Sequence, residues 1–163
     1  MDDITYYKAS ISDIATLVDY RIEFLVDFWG AQSDESTNEL KQQLTAYFNQ
    51  AYNENTYVCY LAKSGNDVVG IGGMIIRSQP GNFRIPSGKV GYLLNMYTVP
   101  YYRRNGICRV ILEKLVAEAK EKSINLLELH ATADGEPVYK KNGFKFHPEP
   151  TYRRYLTSEL SSI

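Results

Sequence analysis

The segment Pro100-Tyr-Tyr-Arg-Arg-Asn-Gly-Ile-Cys-Arg109 sets an arginine pair and an Asn-Gly pair shortly after a proline. Upstream, the run Gly91-Tyr-Leu-Leu-Asn-Met-Tyr-Thr-Val99 predicts a buried strand. Pro100 ends it, because proline has no N–H to give a sheet ladder. Downstream, Ile107, Val110, Ile111, Leu115 and Ala119 recur at helical spacing. The basic segment is therefore the turn between a strand end and a helix start. The first N–H groups of such a helix, from Gly106 through Ile107, Cys108 and Arg109, lack intrahelical acceptors, and the macrodipole places about half a positive charge there. Gly106 lets a ligand touch backbone. Arg103 and Arg104, beside Asn105, add guanidinium donors suited to phosphate oxygens. The ligand that fits is a pyrophosphate. The same residues also suit an ordinary helix start with solvated arginines.

Stepping outward from that turn, the chain predicts the elements that must hold it. Ile4–Lys8 reads as a first strand, and Ser10-x-x-Asp13 as a capping box. Ile14, Leu17, Val18, Ile22, Leu25 and Trp29 define a first helix to about Phe28. Ser36-x-x-Glu39 opens a second helix through Leu40, Leu44, Tyr47, Phe48 and Ala51, ending near Asn53. Runs at 56–62 and 68–77 form a hairpin about Lys63-Ser-Gly-Asn-Asp67. Gly70, Gly72 and Gly73 in its second strand suggest a bulge or close backbone approach. Residues 78–89 are a loop. After the helix from Ile107, residues 124–131 read as a strand parallel to 91–99. The open end of such a parallel pair is where ligands tend to bind, and both the basic turn and His130 lie at that end. A short helix, 135–143, stops at Asn-Gly, and 144–146 and 152–156 read as closing strands.

The whole chain bounds the reading. A length of 163 residues suits one domain, 1–163, with its own core. A net charge of -1 argues against a polyanion binder, so nucleic acid is not an expected partner. No basic leader or long apolar run points to export or a membrane, and a cytoplasmic location is the simplest expectation. The two cysteines, Cys59 and Cys108, make no disulfide framework. Paired Cys/His spacing is lacking, so no metal is expected, and there is no phosphate-binding loop of the nucleotide-hydrolysing kind.

Thr98-x-Pro100-x-x-Arg103-x-x-Gly106-x-Cys108 resembles the acetyl-CoA motif of the GNAT superfamily of N-acetyltransferases, R/Q-x-x-G-x-G/A after a strand ending in V-x-P. Cys108 departs from the usual Gly or Ala but is small. A second signature, A-x-x-x-Y-x-K-x-G-F, is matched by Tyr139, Lys141, Gly143 and Phe144. The Asn that often lies seven positions before the Tyr is replaced by Thr132, which puts one cofactor contact in question.

The resemblance covers essentially the whole chain and implies a mixed α/β fold. Its central sheet would be mostly antiparallel, with six to seven strands, a splayed parallel pair and about four flanking helices. It implies acetyl-CoA as cosubstrate, with Met96, Tyr97 and Thr98 presenting main chain to pantetheine. Backbone donors of this kind are worth about 3–4 kcal/mol each in a transition state. Tyr139 is the implied general acid; a phenol stays protonated at neutral pH and can meet a departing thiolate. The base is open among Glu23, Asp27, Glu128 and His130 acting through water; Asn95 cannot serve, but is placed to touch the acceptor. Phe28 and Trp29 would line the acceptor side of the cleft, or alternatively Trp29 packs a helix on the sheet. An acetyl-cysteine on Cys108 is rejected, since a helix start that binds phosphate is far from the acetyl group. The expected reaction is direct transfer to an amine, with a small-molecule acceptor preferred over a peptide or lysine amine. The competing reading is an acyl-CoA sensor without turnover. Homodimerisation is common in the family.

Overall fold

The computed structural model describes residues 3–156. Five strands form one sheet in the order β1 (Ile4–Lys8), β2 (Tyr57–Ser64), β3 (Asp67–Ser78), β4 (Lys89–Thr98), β5 (Leu127–Glu128). The first four are antiparallel neighbours, and β5 runs parallel to β4. Four helices flank them: α1 (Ile14–Trp29), α2 (Asp34–Asn53), α3 (Ile107–Glu121) and α4 (Glu136–Lys141). The expected mixed fold with a parallel pair is present. Its sheet has five strands among the described residues rather than six or seven.

The two strands read into the tail account for the difference. Neither 144–146 nor 152–156 joins a ladder. Pro148 and Pro150 between them cannot donate ladder bonds, and Phe146, Tyr152 and Leu156 are 83%, 89% and 87% exposed. The strand expected over 124–131 shrinks to two residues. The second helix begins three residues earlier than read, because Ser33, not Ser36, is the cap: its hydroxyl accepts the Ser36 N–H at 3.2 Å. The Ser10–Asp13 box forms as expected, with the Asp13 carboxylate accepting the Ser10 N–H at 2.8 Å.

The sheet separates two apolar layers. Leu17, Val18, Phe48 and Ala51 of α1 and α2 pack on Tyr57, Cys59, Leu61, Ile71 and Tyr97. On the other face Ile107, Ile111, Leu112 and Leu115 of α3 meet Val58, Ala62, Met74 and Leu93, joined by Tyr139 of α4. Close approach explains the β3 glycines. A Cβ on Gly70 would stand 2.6 Å from Ile107 Cγ2, and one on Gly72 2.5 Å from Ile111 Cγ2, so α3 rides directly on β3. Beside Gly70 the register of β3 slips against β2, and a second bulge lies across from the glycines in β4. Between Ile71 and Gly73 the register slips against β4, and the extra residue is Asn95, left-handed at φ 54°.

One polar cluster ties α3 to the far edge of the sheet. Glu118, buried on α3, accepts from Lys8 Nζ at 2.5 Å and from the Tyr60 phenol at 2.9 Å. Burial alone would raise its carboxyl, but those hydrogen bonds and the Lys8 charge outweigh it and hold it below its ordinary value. A depressed folded-state value contributes stability above the unfolded value near 4.5, and loses it as pH falls through the folded one. Lys8 is half exposed, so the pair is partly screened. Glu118→Gln should therefore cost about 1–2 kcal/mol at pH 7 in urea unfolding, with the gap to wild type narrowing below pH 4.5. Coincident unfolding curves at pH 7 would contradict this.

Candidate functional site

The site begins where β4 and β5 part. They pair only at Gly91–Leu127 and Tyr92–Glu128, with the Gly91 N–H bonded to Leu126 O at 2.9 Å. Beyond Tyr92 the side of β4 away from β3 has no strand beside it among the described residues. Val99 N–H bonds to Val69 O of β3 at 3.0 Å. By alternation, Met96 and Thr98 turn their main-chain groups to the open side. The Thr98 carbonyl is engaged there by Arg103 Nε at 2.9 Å. The N–H groups of Met96 and Thr98 and the Met96 carbonyl remain. The Thr98 hydroxyl is buried without a partner among the described residues.

The basic turn closes the open end. Pro100–Tyr102 forms a single 3-10 turn, then Arg104 and Gly106 take left-handed conformations at φ 65° and 78°. Asn105 pins the turn by donating to the carbonyls of Tyr102 and Arg103, both at 3.2 Å. A Cβ on Gly106 would meet nothing within 4 Å, so its φ, not crowding, calls for glycine. The N–H groups of Ile107, Cys108 and Arg109 open α3 toward that free space. Arg103 behaves differently from the arginine read in the sequence. Its guanidinium turns back to Thr98 and to Asp27, 3.4 Å away, and lies over the Tyr97 ring. It braces the strand end against α1, while Arg104 and Arg109 stay exposed.

Tyr139 sits on the α3 side, its ring edge-on to Phe144 at 5.9 Å. Burial first, and the Cys108 sulfur second, push the phenol well above its ordinary value, which keeps it neutral. Burial raises the Cys108 thiol to about 11, so it carries no thiolate near neutral pH. Cys59, sealed in the core, is raised to about 12 by burial. Thr132 caps the approach to α4, its hydroxyl accepting the Gly135 N–H at 3.2 Å. His130, two residues past β5, is exposed, and its Nδ1 is 2.6 Å from the Tyr92 phenol.

The opposite, α1 side carries an aromatic stair. Tyr97 meets Phe24 edge-on at 6.2 Å, Phe24 stacks on Phe28, and Phe28 meets Trp29. Phe28 and Trp29 are 56% and 64% exposed, so Trp29 does not serve as a helix-to-sheet packing residue. The Tyr97 phenol donates to Glu23 at 3.1 Å and Asp27 at 2.9 Å. Burial and these carboxylates push it far above its ordinary value. Asn95 is buried beside the buried Tyr57 phenol, and neither its amide nor that phenol makes a full hydrogen bond among the described residues. Its amide is enclosed rather than exposed to the cleft.

The sequence names Glu23, Asp27, Phe28 and Trp29 of α1 but not the shared hold of the two carboxylates on Tyr97. Glu23 and Asp27 are four apart and share a helix face, a readable signal for a joint partner. Arg21 falls on the apolar stripe between Leu17, Val18 and Leu25, where a charge needs explaining. Among the described residues no group of His, Cys, Asp and Glu could hold a metal ion, and no helix is long and apolar enough to cross a membrane. A shallow depression of about 300 Å³ between α3 and Asn142 lies away from the strand opening.

The comparisons with known proteins agree with this geometry. Residues 22–144 match the acetyltransferase (GNAT) family. A predicted acetyltransferase from Clostridium acetobutylicum, solved with acetyl-CoA, is 34% identical over 93% of this chain and 96% of its own, with a TM-score of 0.85. A GCN5-related N-acetyltransferase from Ralstonia eutropha shares the fold at 20% identity, 93% and 99% coverage and TM-score 0.81. An aminoglycoside N-acetyltransferase in complex with CoA shares it at 11% identity, 96% and 97% coverage and TM-score 0.71. No curated protein matches the chain. The strand opening, the left-handed glycine turn and the match across most of the sequence lead to one conclusion: this chain belongs to the GNAT family of acetyltransferases.

Proposed function

We propose that the protein moves the acetyl group of acetyl-CoA onto the nitrogen of a small-molecule primary amine, by direct attack within a ternary complex. The observation that carries this reading is the unpaired β4 edge leading into the open Gly106 turn. Pantetheine would pair with the main chain of Met96 and Thr98, flanked by Tyr97, as a missing strand would. The pyrophosphate would lie on the N–H groups of Ile107, Cys108 and Arg109, with Arg104 beside them. Thr132 keeps a hydroxyl proton to donate while accepting from Gly135.

In the reaction the amine nitrogen bonds to the thioester carbon and the C–S bond breaks. A β4 N–H at the bulge stabilises the developing oxyanion. Tyr139 hydrogen-bonds the departing sulfur and passes its proton as the charge forms; solvent restores the phenol. Burial keeps the phenol protonated, so it donates a hydrogen bond to the sulfur as charge builds there and gives up its proton as the thiolate departs. The amine proton leaves through water to His130. That role requires the tautomer in which Nδ1–H donates to the Tyr92 oxygen, leaving the Nε2 lone pair free. Phe28 and Trp29 would shield the amine from bulk water, with Asn95 fixing the bulge behind it. Cys108 takes no covalent part, consistent with its raised thiol.

Two measurements test this. Saturating acetyl-CoA at a hundredfold excess over Kd should add about 2.7 kcal/mol of stability, a melting shift of about 5–10 °C. Tyr139→Phe should lower kcat by about 10²–10⁴-fold while leaving the Kd for CoA unchanged. An unaltered kcat would remove Tyr139 from the acid role. Binding of acetyl-CoA without turnover of any amine would favour an acyl-CoA sensor instead.

A further inference from the structure

On the α1 and α2 face, next to the point where β4 and β5 part, basic and aromatic groups gather around Tyr92. Tyr92 is the last β4 residue paired with β5, and Leu94, two residues on, packs into the α1/α2 layer, so Tyr92 projects to that face. The Arg77 guanidinium of β3 lies over its ring, 3.7 Å from the centroid. His130 holds its phenol. From α1, Arg21 comes down half-buried, 5.5 Å from the Phe24 ring. Burial lowers its pKa, opposed by the nearby phenols of Tyr57 and Tyr92.

No carboxylate stands within 4.0 Å of Arg21 or Arg77 among the described residues. The acids of α1 are committed elsewhere: Asp19 to Lys41, and Glu23 and Asp27 to Tyr97. Glu128, in register with Tyr92 and so on the same face, is the single carboxylate contributed by β5. The patch thus holds two guanidiniums against one carboxylate, in a chain whose net charge is -1. A guanidinium drawn half out of water with no counter-ion is unfavourable unless an anion arrives from outside. Its planar fork suits the paired oxygens of a carboxylate or phosphate.

We propose that the acceptor is an amine that also carries an oxyanion group, carboxylate or phosphate, seated between Arg21 and Arg77 with its nitrogen directed past Tyr92 toward the strand opening. This rests on the acetyl-transfer reading above. The two guanidiniums hold the anion, and Glu128 and His130 lie at the nitrogen end. An acceptor of this kind differs from a polycation, for which this face offers too few acids.

Matched pairs test it. Thiol release is followed with methionine against methioninamide, and with phosphoethanolamine against ethanolamine; whichever pair discriminates identifies the oxyanion. In the discriminating pair the anionic member should show at least a hundredfold higher kcat/KM. Arg77→Gln and Arg21→Gln should each reduce that value about 10–100-fold, mainly through KM, and change the neutral member less than threefold. Arg77 is exposed, so its variant is expected to fold as wild type; melting curves check both variants. Independently of turnover, calorimetry on the CoA complex should register the anionic amine and lose it in Arg77→Gln. Equal use of neutral and anionic amines, or no binding of either anionic amine, overturns the proposal while leaving acetyl transfer standing. Arginine-dependent binding without acetylation would sustain the anion site and refute the transfer reading.

Discussion

Backbone N–H and C=O groups inside a sheet need partners, and β4 loses those on one side after two residue pairs. Everything else in the site follows from that parting. The β5 strand stops at Glu128, so the opening widens toward the carboxyl end of β4. There Pro100 forbids continuation, and the chain turns through Arg104 and Gly106 into α3. An extended polyamide could restore the ladder along β4, and its phosphates would then meet the start of α3. The glycines of β3 matter for the same reason, because they let α3 lie close enough that its first turn sits at the mouth of the opening.

Charge is divided across the two sides of the sheet. Around the opening on the α3 side burial keeps Tyr139 and Cys108 neutral, and the charged Glu118 lies toward the other end of α3, paired with Lys8. A neutral phenol beside a neutral thiol can donate to a forming thiolate without first repelling it. On the α1 side the groups are charged and paired, with Tyr97 shared between Glu23 and Asp27 and Arg103 bridging to Asp27. That network anchors α1 to the end of β4, which fixes the width of the cleft. Arg21 and Arg77 stand apart from it, with aromatic rather than acidic neighbours.

Much of this was legible in the residues. The strand-proline-basic turn-helix order around Pro100 and Gly106 is dictated by local chemistry: a missing N–H, a residue free to take positive φ, and an apolar helical stripe. What could not be read depends on long-range pairing. Residues 144–146 and 152–156 are aromatic enough to pass for strands, yet stay off the ladder, and exposure of Phe146 and Tyr152 is a property of the fold and not of the segment. The β3 glycines were read as a bulge or a close backbone approach, and both are present, as the contact with α3 and a slip against β2 beside Gly70; the further bulge at Asn95 of β4 was not readable, because register is set by both strands together. Arg103 was read as a phosphate ligand; only the position of α1 reveals that Asp27 and the Thr98 carbonyl claim it.

The central claim is that the free edge of β4 and the first turn of α3 together receive acetyl-CoA. Residue-resolved amide hydrogen exchange, with and without acetyl-CoA, tests it most directly. The account predicts strong protection on binding at Met96, Thr98, Ile107 and Cys108, with the amides of β1 and β2 unchanged. Tight binding that leaves Met96 and Thr98 exchanging at their free rate would contradict it, and would place the cosubstrate elsewhere on the protein.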